Sequence, residues 1–467
     1  MNKKIIKGII TLLLLVAFST ISTFAAETIF EGNGTNESPY LIQSSVDIEN
    51  LAELVNSGND AYISSFYKLT EDVSLDVINH TPIGTEEYPF SGSFDGGLHT
   101  IKDLQITSSE KYLGFFGVTK NAQLKNIIIE NADIIASSKD ILFAGILSGC
   151  MIVVGENNSF DVAKCSVQGN VNLTSNKTAY AAGLVAKCDV TNGLLSFSNC
   201  HTNVSVIAKA TTIAFAGGII SNMSAASSGF VSVNNSVVEG YVSAESTNLH
   251  SYAGGVVAFA NQQDSSWSDF VPLAQASNEA ALMATTTVYN FNRCVVDCEV
   301  ESTGARSVYI SNLAAYATDY VTVGINYAST EKAVTASQNS ISCNRSISRN
   351  TLLTKDYLAN TVGLDFTNTW TIVFNKIKLR TSIPYILAEL DEQENIVKAQ
   401  PVGCSAGNLI VAIYSEKNRI DSVKIISCLA DVQDMIEIPL GVSDYYAVKV
   451  FMIDLTSLSP LTEFVEF

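Results

Sequence analysis

Hydrophobic and polar residues alternate with a period of two along several segments in the middle of the chain. In the first, positions 165, 167, 169, 171 and 173 are apolar or glycine, and polar residues stand between them. The same alternation follows Cys200, Ser236 and Cys294, and Cys343 heads a fifth segment. Successive side chains of a strand point to opposite faces, so each segment is predicted to be a strand with one buried face.

A short apolar run centred on glycine accompanies each strand. The anchors Gly145, Gly183, Gly218 and Gly255 follow one another at intervals of 38, 35 and 37 residues, and a weaker run stands at 311–314. Such self-similarity marks a stacked-repeat architecture. Equivalent strands must run parallel because each repeat returns to its starting point, and the period of two excludes helical repeats. We therefore predict an all-β chain whose main part is a right-handed parallel β-helix, a solenoid.

The start of the chain has the pattern of a secretory signal peptide, residues 1–25. Lys3, Lys4 and Lys7 precede an apolar stretch that is too short to span a bilayer, and small residues follow up to Ala25. We expect cleavage there and no membrane span afterwards. The predicted location is secreted or extracellular, including association with the cell wall.

Residues 26–387 are predicted to form the β-helix, with a helical cap within residues 26–60. Ser44 or Ser45 is a good N-cap, and Val46, Leu51, Leu54 and Val55 are placed on one face of the predicted helix. A helix of this kind covers the open end of a solenoid, where unpaired strand edges invite aggregation.

The last part of the chain, residues 395–467, lacks the glycine period. Apolar strands separated by polar turns predict a small Ig-like β-sandwich that serves as an accessory domain.

Two inserts interrupt the repeat, near residues 261–290 and 318–339. The first carries Trp267 and Phe270. Long protrusions on a rigid scaffold often carry binding function, and a Trp ring stacks on a sugar or a partner side chain. Trp267 and Phe270 are therefore the candidate ligand-contact residues; the alternative is that the insert folds back and shields the sheet.

The charge balance limits the partners. The formal net charge is −19, whereas nucleic acids and anionic membranes require basic patches, so neither is predicted as a partner. No paired CxxC motif and no regular Asp/Asn/Gly loop is present, so no metal and no other cofactor is predicted.

The chain has nine cysteines. Because most of them share repeat positions with Ser, Met or Ala, they are predicted to be reduced and buried. Pairing between Cys404 and Cys428 is left open.

Candidate acid–base residues are Asp72, Asp76, Asp95 and Asp103, with His99 nearby. Asp95 lies in a Phe-Asp-Gly-Gly turn, where an Asp side chain commonly caps its own backbone, and His99 belongs to the same turn. No pair of carboxylates recurs at the repeat spacing. We therefore predict no catalytic residue.

Four motifs together resemble a known family. Gly34-Thr35 precedes Pro39-Tyr-Leu-Ile42, and then come Phe90-Ser-Gly-Ser-Phe-Asp-Gly-Gly-Leu-His-Thr-Ile101, Leu113-Gly-Phe-Phe-Gly117 and the glycine repeats. This order is similar to that of the GLUG-motif repeat family of bacterial secreted and surface proteins. The resemblance implies a parallel β-helix, export and an adhesive role, and it brings no catalytic motif. Residues 448–461 resemble the end of small β-sandwiches found in clostridial exported proteins.

The expected function is therefore that of a non-enzymatic, adhesin-like surface scaffold that binds an extracellular glycan, a matrix protein or a cell-wall component. Two alternatives stay open. One is a carbohydrate-active enzyme, a polysaccharide lyase or hydrolase, on the same fold; the other is a passive spacer.

Overall fold

The computed structural model describes most of the chain from residue 29 onwards. The residues outside the description are 1–28, 77–78, 156–158, 263–288, 318–320, 333, 335–336, 338–339, 367–368, 374–375, 380–384, 403–406, 417–418, 429–434, 443–444 and 455–464. The predicted signal peptide, residues 1–25, is among them.

The predicted fold class is confirmed, because three parallel sheets stack turn upon turn. Sheet A consists of Tyr40–Ile42, Phe66–Leu69, Ser93–Asp95, Phe116–Lys120, Gln123–Lys125, Ser148–Val153, Ser159–Ala163, Val185–Ser198, Ile220–Asn234, Val257–Gln262, Tyr289–Asn292, Ala314–Ala317 and Val321–Val323. Sheet B consists of Val73–Ser74, Thr100–Lys102, Gln105–Ser108, Ile128–Ser138, Ser166–Ser175, His201–Ala210, Val237–Ser246, Val295–Gly304, Tyr327–Ser329 and Arg345–Ile347. Sheet C consists of Tyr112–Leu113, Leu142–Gly145, Thr178–Ala182, Ile213–Gly217, His250–Gly254 and Ser307–Ser311.

Each turn of the β-helix, here called a rung, crosses sheets B, C and A in that order. The alternation read from the sequence decides which side chains enter the core: Cys165, Val167, Val171 and Leu173 are fully buried, whereas Gln168 and its outward neighbours are exposed. Side chains of successive rungs then stack inside one continuous apolar core. The hydrophobic effect of this core is the main stabilising term, since each rung buries its inner face only against its neighbours.

The corner between sheets A and B is made by left-handed residues. Asn126, Lys164, Asn199, Asn235 and Arg293 occupy it in successive rungs, with φ between 50° and 55°. Asn is the residue that adopts this conformation most readily after glycine, which explains its recurrence at the corner.

The corner between sheets C and A turns within two residues. Strand pairing aligns Gly145 with Ala182, Gly217 and Gly254. The prediction that Gly145 is equivalent to Gly183 is therefore wrong by one residue, because two adjacent small residues stand at this corner and spacing alone does not choose between them. Because of the same offset of one residue, Cys188 pairs with Met151 and not with Cys150.

The fifth strand head is also corrected. Tyr327 pairs with Val295, which places Asn326 in line with Cys294, the position predicted for Cys343. A head residue accepts a hydrogen bond from the N–H of the preceding head: Asn326 Oδ1 lies 2.9 Å from Cys294 N, and Ser236 Oγ lies 3.2 Å from Cys200 N. Asn therefore fills the position, and the series of cysteines is misleading. The proposed insert 318–339 consequently includes a regular strand of sheet A, residues 321–323.

The N-terminal cap is the helix Ser45–Asn56, followed by a short helix, Asp60–Ile63. Ser44 is the N-cap, and Asp47 completes a capping box with it. Ile48 and its buried partners Leu51, Ala52 and Val55 pack on the core of the β-helix. The placement of Val46 on this face is wrong: it is 57% exposed, because the face follows the i, i+3, i+4, i+7 series that starts at Ile48.

After the last rung the chain turns back along the outside of sheet B. This segment, residues 348–379, is here called the strap. A short 3₁₀ turn, Thr330–Lys332, precedes it. The strap contains the helical turns Arg349–Leu352, Lys355–Tyr357 and Leu358–Val362, and then the hairpin of Trp370–Val373 with Lys376–Leu379. Trp370 is fully buried with Val237 and Val295 of sheet B. Lys378 Nζ reaches Glu130 Oε1 at 3.0 Å, so the strap runs past several rungs.

The C-terminal part is a two-layer antiparallel β-sandwich with its own core. One sheet holds Tyr385–Asp391, Ile396–Val402 and Ile436–Pro439, and the other holds Gly407–Glu416, Arg419–Cys428, Ala447–Asp454 and Val465–Glu466. Its first strand begins at Tyr385, earlier than the predicted boundary at residue 395. The polar residues 392–395 form the turn of the first hairpin.

One buried histidine makes the fold sensitive to acid. His80 is 3% exposed, stacks on Phe115, and its Nε2 lies 3.0 Å from the Phe115 carbonyl oxygen. Burial lowers the pKa of His80 to about 4, although the hydrogen bond opposes the shift. The unfolded chain takes up this proton near pH 6.5, so the stabilisation is complete above that pH and is lost as the pH falls towards 4.

We expect this residue to contribute about 3 kcal/mol to the loss of stability between pH 6.5 and 4. In His80→Gln the amide can still donate to the carbonyl but does not titrate. Urea unfolding of both proteins across this pH range should show a shallower pH dependence in the variant. Equal slopes in the two proteins would contradict the assignment.

Candidate functional site

The predicted ligand-contact residues, Trp267 and Phe270, lie outside the described residues, as does most of the insert 261–290. The strand before it, Val257–Gln262, and the strand after it, Tyr289–Asn292, both belong to sheet A. The insert therefore leaves and re-enters the β-helix on that sheet.

An open pocket of about 470 Å³ lies at the N-terminal end of the β-helix, and Asp95, His99, Lys68, Thr70 and Asn126 are among its lining residues. Asp95 Oδ1 accepts the N–H of Gly97 at 2.9 Å and the Asn126 amide at 2.8 Å. The prediction that Asp95 caps its own turn is thus confirmed. Burial raises the pKa of Asp95, but these bonds and Lys125 outweigh it, so the pKa lies below its usual value. An ionised carboxylate of this kind is not a proton donor.

Two of the other candidate acids, Asp72 and Asp103, contact the neighbouring rung. Asp72 Oδ1 accepts the N–H of Thr100 at 2.9 Å and lies 3.5 Å from His99 Nδ1. Asp103 accepts the hydroxyl of Ser74 at 3.0 Å. Asp72 and Asp103 therefore join successive rungs, and Asp76 is exposed.

A row of six aromatic rings stacks on the outer side of sheet C, and its members are Tyr112, Phe143, Tyr180, Phe215, Tyr252 and Tyr309. Ring centroids in successive rungs lie 4.5 to 5.1 Å apart. Each ring between the two ends of the row contacts a neighbouring ring on both of its faces, so a ligand could reach only the ring edges. We conclude that this aromatic ladder mainly stabilises the stack of rungs.

The Tyr252 hydroxyl is an anomaly within the ladder. The residue is fully buried, and its Oη has no hydrogen-bond partner among the described residues. A buried hydroxyl without a partner costs about 1–3 kcal/mol. Tyr252→Phe is therefore expected to raise the melting temperature.

The matched control is Tyr289→Phe. The Tyr289 hydroxyl is also buried, but it accepts the N–H of Ala225 at 2.9 Å and lies 3.3 Å from the Met223 carbonyl oxygen. This variant should lower the melting temperature, because it leaves both backbone groups without their partner. A lower melting temperature in both variants would contradict the assignment for Tyr252.

The outer face of sheet B is the broadest regular polar surface that we found in the described part of the chain. Strand register aligns Asn170, Ser205, Tyr241 and Glu299 in one column. The neighbouring column contains Asn172, Ile207, Ser243 and Glu301. Short amides and hydroxyls thus give way to carboxylates towards the C-terminal end. In the sequence these residues stand out only as the outward half of each alternating strand, and the inward positions alone do not reveal them.

The acidic end of this face is partly compensated. Lys332 Nζ lies 2.8 Å from Glu299, and the Tyr241 hydroxyl donates to Glu301. No group of three or more His, Cys, Asp or Glu in the described part of the chain is arranged to hold a metal ion.

Eight cysteines are described, and all are buried free thiols, as predicted. Burial raises the pKa of Cys200 and of Cys294 to about 12, and hydrogen bonds with backbone groups only partly oppose it. Such thiols are poor nucleophiles. Cys428 is free, and Cys404 lies outside the described residues.

Comparisons with known proteins give partial similarities, and no family model matches the chain. Halomucin from Haloquadratum walsbyi is 30% identical over 141 residues, which are 27% of this chain and 2% of that protein. The chain thus spans a very small part of its curated relative. A solved structure described as "a putative immunoglobulin A1 protease from Bacteroides ovatus" superposes with a TM-score of 0.54 at 19% identity, over 76% of this chain and 96% of that one. This likeness concerns the fold alone.

Within the described residues, no helix is long and apolar enough to cross a membrane.

Proposed function

We propose that the chain is a secreted or cell-surface protein of the GLUG-repeat kind, and that it acts as an adhesin-like scaffold. The observation that carries the proposal is the polar outer face of sheet B, held on a rigid stack of rungs. The similarity to halomucin is in keeping with a surface or secreted location.

The chemistry of the face suits an extended hydroxylated polymer. Asn170, Asn172 and Thr174 are exposed on one strand, and the half-buried hydroxyls of Ser205 and Ser243 continue this polar surface on the next two strands. Neighbouring strands lie about 4.8 Å apart, so equivalent groups repeat at a fixed spacing across the sheet. A glycan chain presents donors and acceptors in a similar series. The ring of Tyr241, in the same column, can pack on a sugar ring.

The negative charge narrows the choice of partner. Glu299 and Glu301 are exposed at one end of the face, and the whole chain carries −19. Polyanionic glycans are therefore disfavoured, and neutral or cationic glycans, or a matrix protein with a basic surface, are favoured. The insert with Trp267 and Phe270 is the second candidate contact.

The test is binding of the mature chain, from about Glu27, to an array of glycans and matrix proteins. The variant Asn170→Arg/Ser205→Arg places two long charged side chains on the polar face. The control Asn222→Arg/Ser224→Arg places them on outward positions of sheet A. A third protein lacks residues 261–290.

Binding that is lost in the sheet B variant and kept in the control would support the face as the contact. Loss in the deletion, with an unchanged circular dichroism spectrum, would support an adhesin that binds through the insert. The absence of any bound component for the intact chain would contradict the proposal and favour a spacer.

A further inference from the structure

Three polar side chains stand in line on successive strands of sheet B. Ser166 Oγ lies 3.2 Å from His201 Nδ1, and Glu239 Oε2 lies 3.0 Å from His201 Nε2. Since a carboxylate only accepts, Nε2 carries the ring proton, and Nδ1 accepts the Ser166 hydroxyl proton. Glu239 therefore fixes the tautomer in which the imidazole acts as a base towards the serine.

The three residues differ in their exposure. The side chains of His201 and Glu239 are 7% and 11% exposed, and the ring of Trp370 from the strap lies edge-on to His201, with centroids 6.4 Å apart. Ser166 lies beside them and is half-buried. The base and the carboxylate are thus shielded from water, whereas part of Ser166 is accessible.

Packing under the strap does not require polar groups at these positions. Strand register places Ser166 and His201 in one column with Val237 and Val295, and both valines are fully buried against the strap. Two rungs therefore fill the same position with an aliphatic side chain. A buried hydrogen-bonded His–Glu pair is rarely more stabilising than apolar residues of similar size. Packing alone does not explain the row.

We propose that Ser166, His201 and Glu239 form a nucleophile–base–carboxylate row that hydrolyses short-chain acyl esters of sugars or other polyols. Recognition of such arrangements rests on geometry and roles, not on order in the chain. Ser166 and His201 are the catalytic residues, and Glu239 is a positioning residue. This activity is independent of the proposed adhesive function.

The reaction needs only ester and water. Ser166 Oγ attacks the carbonyl carbon, and its proton passes to His201 Nδ1. The carbon–oxygen bond to the alcohol then breaks, the alcohol leaves with that proton, and the acyl group stays on Ser166. A water molecule then attacks the acyl carbon while His201 takes its proton. The bond between the acyl carbon and Ser166 Oγ breaks, the acid leaves, and His201 returns the proton to Ser166 Oγ. The exposed amide of Gln168, two residues along the same face and about 7 Å away, is the nearest polar side chain on that strand for the carbonyl oxygen.

The experiment treats the full mature chain with a fluorophosphonate probe, and separately with p-nitrophenyl acetate. We expect one covalent adduct, located at Ser166 by peptide mass spectrometry, and a burst of p-nitrophenolate that is stoichiometric with protein. Ser166→Ala should abolish the adduct and lower the burst rate at least 100-fold. Glu239→Gln should slow labelling of Ser166 by about 10- to 100-fold while the adduct stays at the same residue. Ser224→Ala, at an outward position of sheet A and without a histidine partner, should react like the parent protein.

The absence of an adduct at Ser166 in protein with a native circular dichroism spectrum would overturn the proposal. So would equal labelling rates in the parent and in Glu239→Gln at equal melting temperature, because a purely structural carboxylate would leave the rate unchanged. Either result would leave the array experiment on the polar face unaffected.

Discussion

Gly218→Ala is expected to lower the free energy of unfolding by about 3 kcal/mol, a large effect for the addition of one methyl group. A Cβ at this position would lie 2.0 Å from the carbonyl oxygen of Gly255 on the next rung and 2.6 Å from Val238 Cγ1. The first contact is with backbone, so no side-chain rotation relieves it. The rungs would have to separate at this corner. Thermal unfolding followed by circular dichroism measures the change.

The control is Gly304→Ala at the end of a strand of sheet B. There the new Cβ would meet Ser251 Oγ at 2.9 Å and the Ser307 carbonyl oxygen at 3.0 Å, so neighbouring atoms need to move by much less than at Gly218. We expect less than about 1 kcal/mol for this variant. Equal losses in the two variants would mean that the close rung-to-rung approach at Gly218 is not the cause.

Arg349→Met is expected to cost about 3 kcal/mol, the lower end of the range for breaking a buried ion pair, because the carboxylate is buried but 51% of the Arg349 side chain is exposed. The side chain of Asp297 is 3% exposed, and its Oδ2 accepts a hydrogen bond from Arg349 Nε. Its Oδ1 has no partner within the described residues. Removal of the guanidinium thus leaves a buried carboxylate without its compensating charge. Methionine keeps much of the apolar stem, so the measured difference in urea unfolding reports the charge.

The matched control is Lys332→Met, which removes the partner of Glu299 on the same face. That pair is exposed, with 33% and 51% of the two side chains accessible, and exposed ion pairs contribute at most about 1 kcal/mol. If both variants were equally stable, the contact between Arg349 and Asp297 would not be what holds the strap.

The fold is largely predictable from the sequence because each rung repeats the same pattern of strands with one buried face and tight corners. Alternation around Val167, Val171 and Leu173 indicates a strand with one buried face, and the recurrence of glycine shows where the backbone turns. Spacing alone does not show which residues of successive rungs occupy the same position, as Gly145 and Cys343 demonstrate. The position of Gly145 requires a small residue, and the strand head requires a hydrogen-bond acceptor. Several residue types meet each of these requirements.

The strap and the row of Ser166, His201 and Glu239 could not be found in this way. Trp370 reaches His201 across 169 positions of the sequence, and no period connects them. The row itself depends on register, since Glu239 lies two residues beyond the direct partner of His201. Only the pairing of strands brings its members into contact.

The strap also determines how the molecule would carry a mechanical load. The chain enters the β-helix at its cap and leaves it through Lys378, which is bound to Glu130 in an early rung. Tension between the two termini would therefore enter the solenoid beside that early rung. The later rungs, up to Asp297 and beyond, lie off the line of force until the contacts of Trp370 and Arg349 shear together. A surface protein built in this way would stretch first at its cap while its polar face keeps its shape.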